Sequence, residues 1–394
     1  MADPSLPGRR LTPALTLSLA KYKMTEPIIK FRTTAAGTNK FFGVATLNSP
    51  ASLNSLSADM VTLLTPMLRK WAADPDIVGV LFDAEGEKAF CAGGDMRQLH
   101  ATLLKCGEKQ NEYAERFFSE EYELDHLLHN YPKPLLCWGH GIVMGGGVGL
   151  LVGASHRVVT EGTRLAMPEI NIGLYPDVGG TWFLARAPQR LGLFLGLTAA
   201  QVNATDAIYC GLADHFVRHE NKAKVLDRVA AASWGDDSDA NRETLSEILF
   251  EAGKGDSLPL SNLKAHEGTI NELLRGNDIH AIASRIADFN TDDKWLQGAL
   301  KAFGKGAPSS VVLTWELWRR CQRMSLAEVF RLEYWVSLGC CAHADLPEGI
   351  RAVLIDKDRN PKWNPARLQD VSGAFIADHF EQRGALPDIL ASLK

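Results

Sequence analysis

Between residues 28 and 217, short β-rich runs alternate with longer helical segments, and this alternation restricts the chain to an α/β architecture built from βα units. A helix is predicted from about Ala58 to Trp71, because apolar residues recur there at helical spacing and Ser57 can cap it. Its predicted core positions are Met60, Leu63, Leu64, Met67, Leu68 and Trp71. The predicted strands are Lys40–Leu47, Ile77–Phe82, Pro134–Trp138, His156–Thr160 and Arg164–Met167.

After about residue 217 the chain becomes mainly helical and more polar. Residues 309–341 are typical of two long amphipathic helices, which we expect to pack on the core or on another subunit. The sequence therefore predicts an N-terminal extension over residues 1–25, a core over 26–217 and a mainly helical C-terminal region over 218–394.

Composition excludes several classes of function. With 42 Lys and Arg against 47 Asp and Glu, the formal net charge is −5, so no overall basic field exists to hold a nucleic acid or an anionic membrane. The longest apolar stretch, residues 141–154, is too short and too rich in glycine for a membrane helix. The seven scattered cysteines include no CxxC pair, which argues against a metal site and favours a reducing compartment.

Residues 1–23 contain four basic side chains and one acid, interrupted by prolines. A transit peptide to the mitochondrial matrix is one interpretation. The alternative, which we favour, is a disordered extension or an upstream start with Met24 as the true beginning. It predicts a cytoplasmic protein.

Two glycine-rich segments each follow a β-like run and precede a helical one. They are residues 89–95, which include Gly93 and Gly94, and residues 140–147, which end in Gly145, Gly146 and Gly147. Glycine lets a ligand approach backbone N–H groups closely, and a helix that begins there directs unpaired N–H groups at the ligand. Two such donors converging on one carbonyl oxygen would form an oxyanion hole.

Tight structural turns and phosphate cradles are the alternatives for each glycine segment. No Gly-Lys-Ser/Thr follows either one, and neither gives a GxGxxG pattern with an acid at the expected distance. Taken alone, each segment is better explained as structural than as catalytic.

A third segment, residues 166–180, places two acids, Glu169 and Asp177, among apolar and turn residues. Carboxyl groups in such surroundings tend to have raised pKa values, which suit them to general acid/base or nucleophilic work. A capping or salt-bridged acid is the alternative for either residue considered alone.

Together these three segments resemble the crotonase (enoyl-CoA hydratase/isomerase) superfamily. The resemblance implies an α/β spiral of repeated ββα units that binds acyl-CoA and polarises its thioester with the amides of Gly94 and Gly146. It also implies a C-terminal helical region that covers the site or forms subunit contacts, a possible homo-oligomer, and no cofactor beyond the CoA of the substrate. Residues 47–56 resemble the family's first CoA-binding turn, with Ala51 and Leu53 lining it. Ala92 and Asp95 would then lie near the nucleotide and pantetheine path.

Hydratases of this superfamily carry a catalytic glutamate shortly after the glycine triplet, where this chain has Gly149. The combination of residues 145–150 with 167–180 is instead similar to the 3-hydroxyisobutyryl-CoA hydrolase family of valine breakdown, and the likeness extends to residues 117–122 and 348–363. It implies that Glu169 attacks the thioester carbonyl or activates a water. Asp177 would orient the substrate hydroxyl or share proton transfer, and Glu121 would close the acyl end.

Two other functions remain open. A hydration or double-bond isomerisation reaction is the nearer alternative, although Gly149 argues against it. A non-catalytic acyl-CoA-binding protein is the other, although a binder needs neither Glu169 nor Asp177.

Further residues are weaker candidates. A structural hydrogen bond is the favoured role of His140, and Cys91 is interpreted as a small buried residue. Two interpretations remain for a group of basic residues: all of them are solvated, or a few of them contact the CoA phosphates. The group is Arg319, Arg320, Arg351, Lys357, Arg359 and Lys362.

Overall fold

The computed structural model describes residues 26–106 and 111–394. Residues 1–25, over which the extension is predicted, lie outside the described residues. Across the described ranges, every helix is too short or too polar to cross a bilayer.

Two β-sheets organise the first half of the chain. The large sheet has the strand order β1-β2-β3-β5-β7-β9, in which β1 pairs with β2 in antiparallel fashion and the other neighbours are parallel. The small sheet is parallel and has the order β4-β6-β8. The strands are β1 Ile29–Ala36, β2 Lys40–Leu47, β3 Ile77–Ala84, β4 Ala89–Cys91, β5 Leu135–Gly139, β6 Ile142–Met144, β7 His156–Val159, β8 Arg164–Ala166 and β9 His215–Phe216.

Consecutive strands alternate between the two sheets. The pairs β3 and β4, β5 and β6, and β7 and β8 each add one strand to the large sheet and the next to the small one, before a helical segment follows. All eight residues of β3 are buried, as expected for a parallel strand covered on both faces. The predicted spiral of ββα units is therefore confirmed.

The helices, numbered in chain order, are α1 Ala58–Ala73, α2 Met96–Cys106, α3 Glu112–His129, α4 Gly146–Val152, α5 Gly180–Leu184, α6 Leu191–Thr198, α7 Ala204–Tyr209, α8 Lys222–Ala231, α9 Ser238–Gly253, α10 Asn262–Leu273, α11 Ile279–Asp288, α12 Lys294–Lys305, α13 Pro308–Cys321, α14 Leu326–Ala342, α15 Asp345–Ile350, α16 Gly373–His379 and α17 Asp388–Ala391. Short 3₁₀ turns cover Pro50–Ser52, Glu169–Ile172, His219–Asn221 and Leu368–Asp370, and a π-helical turn covers Arg351–Ile355.

Several predicted elements are confirmed. Strand β2 has the predicted bounds, α1 contains the predicted helix, and the Ser57 side chain accepts a hydrogen bond from the Met60 N–H. The two amphipathic helices predicted over residues 309–341 are α13 and α14. The prediction for Leu63 was wrong, because this residue lies beside the buried face of α1 and is 45% exposed.

The sequence also missed the short strands on which the glycine turns depend. Strand β4 begins the segment 89–95 and β6 lies within the segment 140–147, so the glycines themselves follow strands of the small sheet and not the large-sheet strands β3 and β5. Strands β4 and β6 have only three residues each, which is too short to show a periodic pattern.

The C-terminal helices complete two cores. Apolar residues of α8 and α9, such as Val225, Val229 and Leu245, pack on one face of the large sheet. A second core lies on the opposite face of the large sheet and contains apolar residues of α1 and α3. Helices α10 to α14 extend this second core. The last strand ends at Phe216, while the division into units 26–217 and 218–394 stays a prediction.

Candidate active site

The two glycine turns meet at the carboxyl ends of β4 and β6. Gly93 has φ +104° and Gly145 has φ +51°, conformations that favour glycine. A methyl group placed on Gly93 would lie 3.9 Å from the Gly145 Cα, and one placed on Gly146 would lie 3.5 Å from the Gly94 nitrogen. Segments that are 52 residues apart in the sequence therefore form one concave surface.

The N–H groups of Gly94 and Gly146 are both free to bind a ligand. The hydrogen bonds on either side of Gly94 run from the Leu56 N–H to the Gly93 carbonyl and from the Asp95 N–H to the Leu56 carbonyl, and they leave the Gly94 N–H unused. Gly146 is the first residue of α4, where an N–H has no partner within the helix. Among the hydrogen bonds of the described residues, neither group has an acceptor.

Three carboxyl groups surround these donors. Glu121 comes from α3, Glu169 from the 3₁₀ turn after β8, and Asp177 from the loop before α5, and each is at most 5% exposed. A methyl group on Gly146 would lie 2.7 Å from Glu121 Oε1, and one on Gly145 would lie 2.8 Å from Glu169 Oε1. The glycines therefore leave room for carboxyl groups beside the two N–H donors.

Burial dominates the electrostatics of this carboxyl group cluster. Desolvation raises the pKa of Glu121 and Glu169 well above the usual range, and the nearby Asp177 charge raises both pKa values further. Desolvation raises the pKa of Asp177 to about 6, although a hydrogen bond from the Tyr122 hydroxyl opposes the change. Carboxyl groups whose pKa values are raised in this way exchange protons closer to neutral pH than free carboxyl groups do.

The cluster lines a cavity of about 770 Å³ that also contains Ala92 and both glycine turns. The volume lies within the range typical of small-molecule sites. Three exposed cations, Lys301, Lys305 and Arg359, line the same cavity, and no ion pair joins them to an acid in the described part of the chain. The cavity therefore has a buried acidic floor and a basic rim.

The C-terminal helices hold the turn that carries Glu169. The Ala307 N–H, just before α13, donates to the Ile170 carbonyl at 2.9 Å. Gly173, with φ +77°, abuts the backbone of Asp345, and Gly349 abuts Ile172, so side chains at these glycines would collide with backbone. Helix α15 thus fixes the Glu169 turn by close backbone packing.

A sequence profile described as enoyl-CoA hydratase/isomerase matches residues 42–380, which is most of the chain. The chain belongs to the enoyl-CoA hydratase/isomerase family. Among curated relatives, a protein named 3-hydroxyisobutyryl-CoA hydrolase, mitochondrial, from Homo sapiens is 37% identical over 343 residues, which cover 87% of each chain. Its namesake from Danio rerio is 38% identical over 334 residues, 85% of each chain.

Solved structures of this family agree with the fold. An enoyl-CoA hydratase from Rhodobacter sphaeroides aligns with a TM-score of 0.77 and 34% identity, over 90% of this chain and 97% of that one. A carnitinyl-CoA dehydratase from Mycobacterium thermoresistibile aligns with a TM-score of 0.78 and 34% identity, over 89% and 96% of the two chains.

This chain has Gly149 at the position where the family resemblance places a catalytic acid in hydratases. The structure shows which residues occupy the space that such a side chain would need. A methyl group on Gly149 would lie 2.8 Å from Val178 Cβ and 3.1 Å from Asp125 Oδ1. A longer acidic side chain does not fit without displacing these residues. The carboxyl of Asp125, from α3, already fills this corner of the site.

Not every predicted site residue of this family member lines the cavity. Gly94, Gly146, Glu121, Glu169, Asp177 and Ala92 do. Ala51 is exposed in the 3₁₀ turn, Leu53 lines a separate surface depression of about 570 Å³, and Asp95 accepts hydrogen bonds from the Arg97 and Gln98 N–H groups. The Ala92 N–H donates to the Leu53 carbonyl, so the turn that carries Ala51 and Leu53 supports the first glycine loop. The CoA contacts of that turn stay predictions.

The two weaker candidates behave as interpreted from the sequence. His140 Nε2 lies 2.7 Å from the Gly86 carbonyl, a structural hydrogen bond. Cys91 is fully buried, and burial raises the pKa of its thiol to about 12, which leaves it unreactive.

Sequence reasoning missed a further set of buried polar residues behind the site, namely Tyr122, Asp125, Tyr175, Glu333 and Ser337. Asp125 lies one helical turn after Glu121, and Glu333 lies one turn after Val329 on the buried face of α14. An acid on a core-facing helical position is the signal that could have identified Asp125 and Glu333.

Proposed function

We propose that the chain is an acyl-CoA thioester hydrolase that converts a short 3-hydroxyacyl-CoA, best represented by 3-hydroxyisobutyryl-CoA, into the free 3-hydroxy acid and CoA. The observation that carries the proposal is the convergence of two free N–H groups, on Gly94 and Gly146, beside the buried Glu169 carboxyl. The names of the curated relatives support the choice of acyl group.

The proposed reaction begins with the thioester oxygen bound by the Gly94 and Gly146 N–H groups. Glu169 then adds to the carbonyl carbon or removes a proton from the water that does so, and the oxygen takes up negative charge between the two donors. When the carbon–sulfur bond breaks, the sulfur leaves as CoA thiolate and takes a proton. Water completes the free acid, directly or by hydrolysing a Glu169 acyl anhydride.

The proposed roles of the other two acids follow from their positions. Asp177 is close enough to raise the pKa of Glu169, and two buried carboxyl groups that interact in this way share a proton. Asp177 is thus suited to exchange a proton with the reacting groups or to orient the substrate hydroxyl. Glu121, whose oxygen lies beside Gly146, closes the acyl end of the cavity.

Hydration of an enoyl-CoA is the second candidate, favoured by the similar structures of proteins named as a hydratase and a dehydratase. Positioning a water across a double bond with two carboxylates would need an acid at position 149, where Val178 and Asp125 leave no space. A non-catalytic acyl-CoA-binding protein is a third candidate, but it would bury the acidic cluster at an energetic cost without using it.

The substrate assignment is tested by measuring thiol release from 3-hydroxyisobutyryl-CoA and from isobutyryl-CoA, which lacks only the hydroxyl. A typical hydrogen bond from that hydroxyl contributes about 0.5–1.5 kcal/mol, so we expect kcat/KM to be about 2 to 12 times higher for the hydroxylated substrate. Equal values for the two substrates would contradict the role given to the hydroxyl.

The basic rim provides a prediction for CoA binding. Arg351 is already neutralised by Glu348, Asp356 and Asp358, and Arg319 and Arg320 both pair with Glu316, whereas Lys301, Lys305 and Arg359 are unpaired within the described chain. Lys301 and Lys305 are one turn apart and share a face of α12. We expect Lys301→Glu to raise KM for acyl-CoA about tenfold and to leave kcat unchanged.

The matched control is Lys294→Glu, on the same helix but outside the cavity and about 10 Å away along its axis. An acyl-pantetheine thioester, which lacks all phosphates, serves as the second control. An equal rise in KM for both thioesters in Lys301→Glu would show that the rim does not act on phosphate groups.

Location and partners complete the proposal. The relatives named above are mitochondrial, which favours the transit-peptide interpretation of residues 1–25 over the cytoplasmic one. A fusion of residues 1–25 to a fluorescent reporter tests this, since a diffuse cytosolic signal would exclude it. We propose an acyl-CoA substrate without a further cofactor, while the homo-oligomer stays a prediction.

A further inference from the structure

A continuous chain of buried hydroxyl groups lies behind Asp177. The Tyr122 hydroxyl lies 2.8 Å from Asp177 Oδ2 and 2.7 Å from Ser337 Oγ. Ser337 Oγ lies 2.8 Å from the Tyr175 hydroxyl, which in turn donates to the Glu333 backbone carbonyl at 2.8 Å. Tyr122, Tyr175 and Ser337 are all fully buried, so the chain links α3, α14 and the segment before Asp177 inside the protein.

Counting protons shows which state of Asp177 this chain fits. The Glu333 carbonyl only accepts, so Tyr175 gives its single proton there. If Asp177 is ionised, Tyr122 gives its proton to Asp177, and Ser337 has one proton for two tyrosine oxygens. One of the contacts at 2.7 or 2.8 Å then joins two oxygens with no proton between them.

A protonated Asp177 removes this conflict. The carboxylic O–H donates to the Tyr122 oxygen, Tyr122 donates to Ser337, Ser337 to Tyr175, and Tyr175 to the Glu333 carbonyl. Four protons then serve four contacts, all pointing in one direction. Only in this state does every one of the four contacts contain a proton.

We propose that the contacts of Ser337 and Tyr175 turn the Tyr122 O–H away from Asp177 and so keep a proton shared by Glu169 and Asp177 on Asp177, which leaves Glu169 as the ionised group that acts on the thioester. The role of the ionised Glu169 in thioester hydrolysis rests on the proposed function, whereas the position of the proton does not. Tyr122 and Ser337 are positioning residues in this account, because they act through Asp177.

The charged and buried surroundings of Glu169 and Asp177 do not determine which of the two holds the proton. The titratable groups that face Asp177 are Glu121, Tyr122 and Asp125 from α3, Glu169 from its 3₁₀ turn, Tyr175 from its own segment, and Glu333 and Cys340 from α14. Burial raises the pKa of Glu169 as well as that of Asp177, so desolvation does not assign the proton. Glu169 Oε2 is buried with no hydrogen-bond partner among the described residues, so it is available to the substrate or to the attacking water.

The proposal predicts opposite effects of two conservative variants. In Ser337→Ala the protonated state loses the acceptor for Tyr122, while the ionised state keeps its bond from Tyr122 to Asp177. The pKa of Asp177 should therefore fall, by about half to one unit. In Tyr122→Phe the ionised state loses its stronger, charge-assisted bond, so the pKa of Asp177 should rise by about one unit.

The test is a pH titration of the carboxylic-acid C=O band in infrared difference spectra of the full-length protein, with Asp177→Asn as the reference. Ser310→Ala is the matched control, because Ser310 is a buried serine of α13 whose hydroxyl has no partner in the described residues. We expect a downward shift of the titration midpoint in Ser337→Ala, an upward shift in Tyr122→Phe, and none in Ser310→Ala. Equal midpoints in Ser337→Ala and the unaltered protein, or shifts of the same sign in both variants, would overturn the proposal.

The alkaline limb of kcat/KM for thiol release should move with the infrared midpoint in the same variants. The infrared titration needs no turnover, so it separates the two claims. Absence of thiol release from every acyl-CoA would contradict the proposed function and leave the proton assignment standing.

Discussion

Replacing Glu169 by glutamine is expected to lower kcat for thiol release by about 10³-fold, within the range of about 10² to 10⁴ for removal of a positioned proton-transfer group. Glutamine keeps the shape of the side chain but can neither attack the carbonyl nor accept a proton from water. Because the change leaves the cavity lining and the basic rim intact, we expect the Kd for CoA to stay within about twofold.

The control for this variant is Glu247→Gln, on the exposed face of α9. It should keep full activity, and a calorimetric titration with CoA should give the same Kd for both variants. Retention of most of the thiol release in Glu169→Gln would remove Glu169 from the chemistry and favour a role in packing.

A methyl group at position 146 is expected to have a comparable effect by a different route. In Gly146→Ala the new Cβ would lie 2.7 Å from Glu121 Oε1 and 3.5 Å from the Gly94 nitrogen. The methyl group would therefore occupy the space that the thioester oxygen needs. Loss of one oxyanion donor costs about 2.7–4 kcal/mol, so we expect kcat to fall by about 10² to 10³-fold.

Gly268→Ala provides the matched control, because this glycine lies in α10 with open space around its Cα. Alanine there should leave kcat unchanged and raise the melting temperature slightly, since alanine favours the helix. Normal turnover in a folded Gly146→Ala protein would show that the thioester oxygen does not bind between the two glycine turns.

The parts of the site that could be predicted are those carried by contiguous sequence. Gly93 and Gly94, the triplet ending at Gly147, and the acids Glu169 and Asp177 each stand in a short segment with an unusual composition. The structure places Gly94, Gly146, Glu169 and Asp177 around one cavity. Helix α1 and strand β2 were similarly predictable, because a helical periodicity extends over the 16 residues of α1 and a β-rich run over the 8 residues of β2.

The parts that were missed depend on contacts between distant segments. Tyr122 and Ser337 are separated by 215 residues, and their hydroxyl contact is created only when α3 and α14 pack together. Strands β4 and β6 are stable because of their neighbours in the small sheet, not because of a local pattern. The sequence likewise contains no local sign that Asp125 fills the space beside Gly149.

The central claim is that the oxyanion site serves thioester hydrolysis and not hydration of a double bond. The most direct measurement follows free thiol release from 3-hydroxyisobutyryl-CoA and, on the same protein sample, water addition to the enoyl-CoA formed when that substrate loses water. The account predicts rapid thiol release with no detectable hydration. Hydration of the enoyl-CoA without thiol release from either thioester would contradict it.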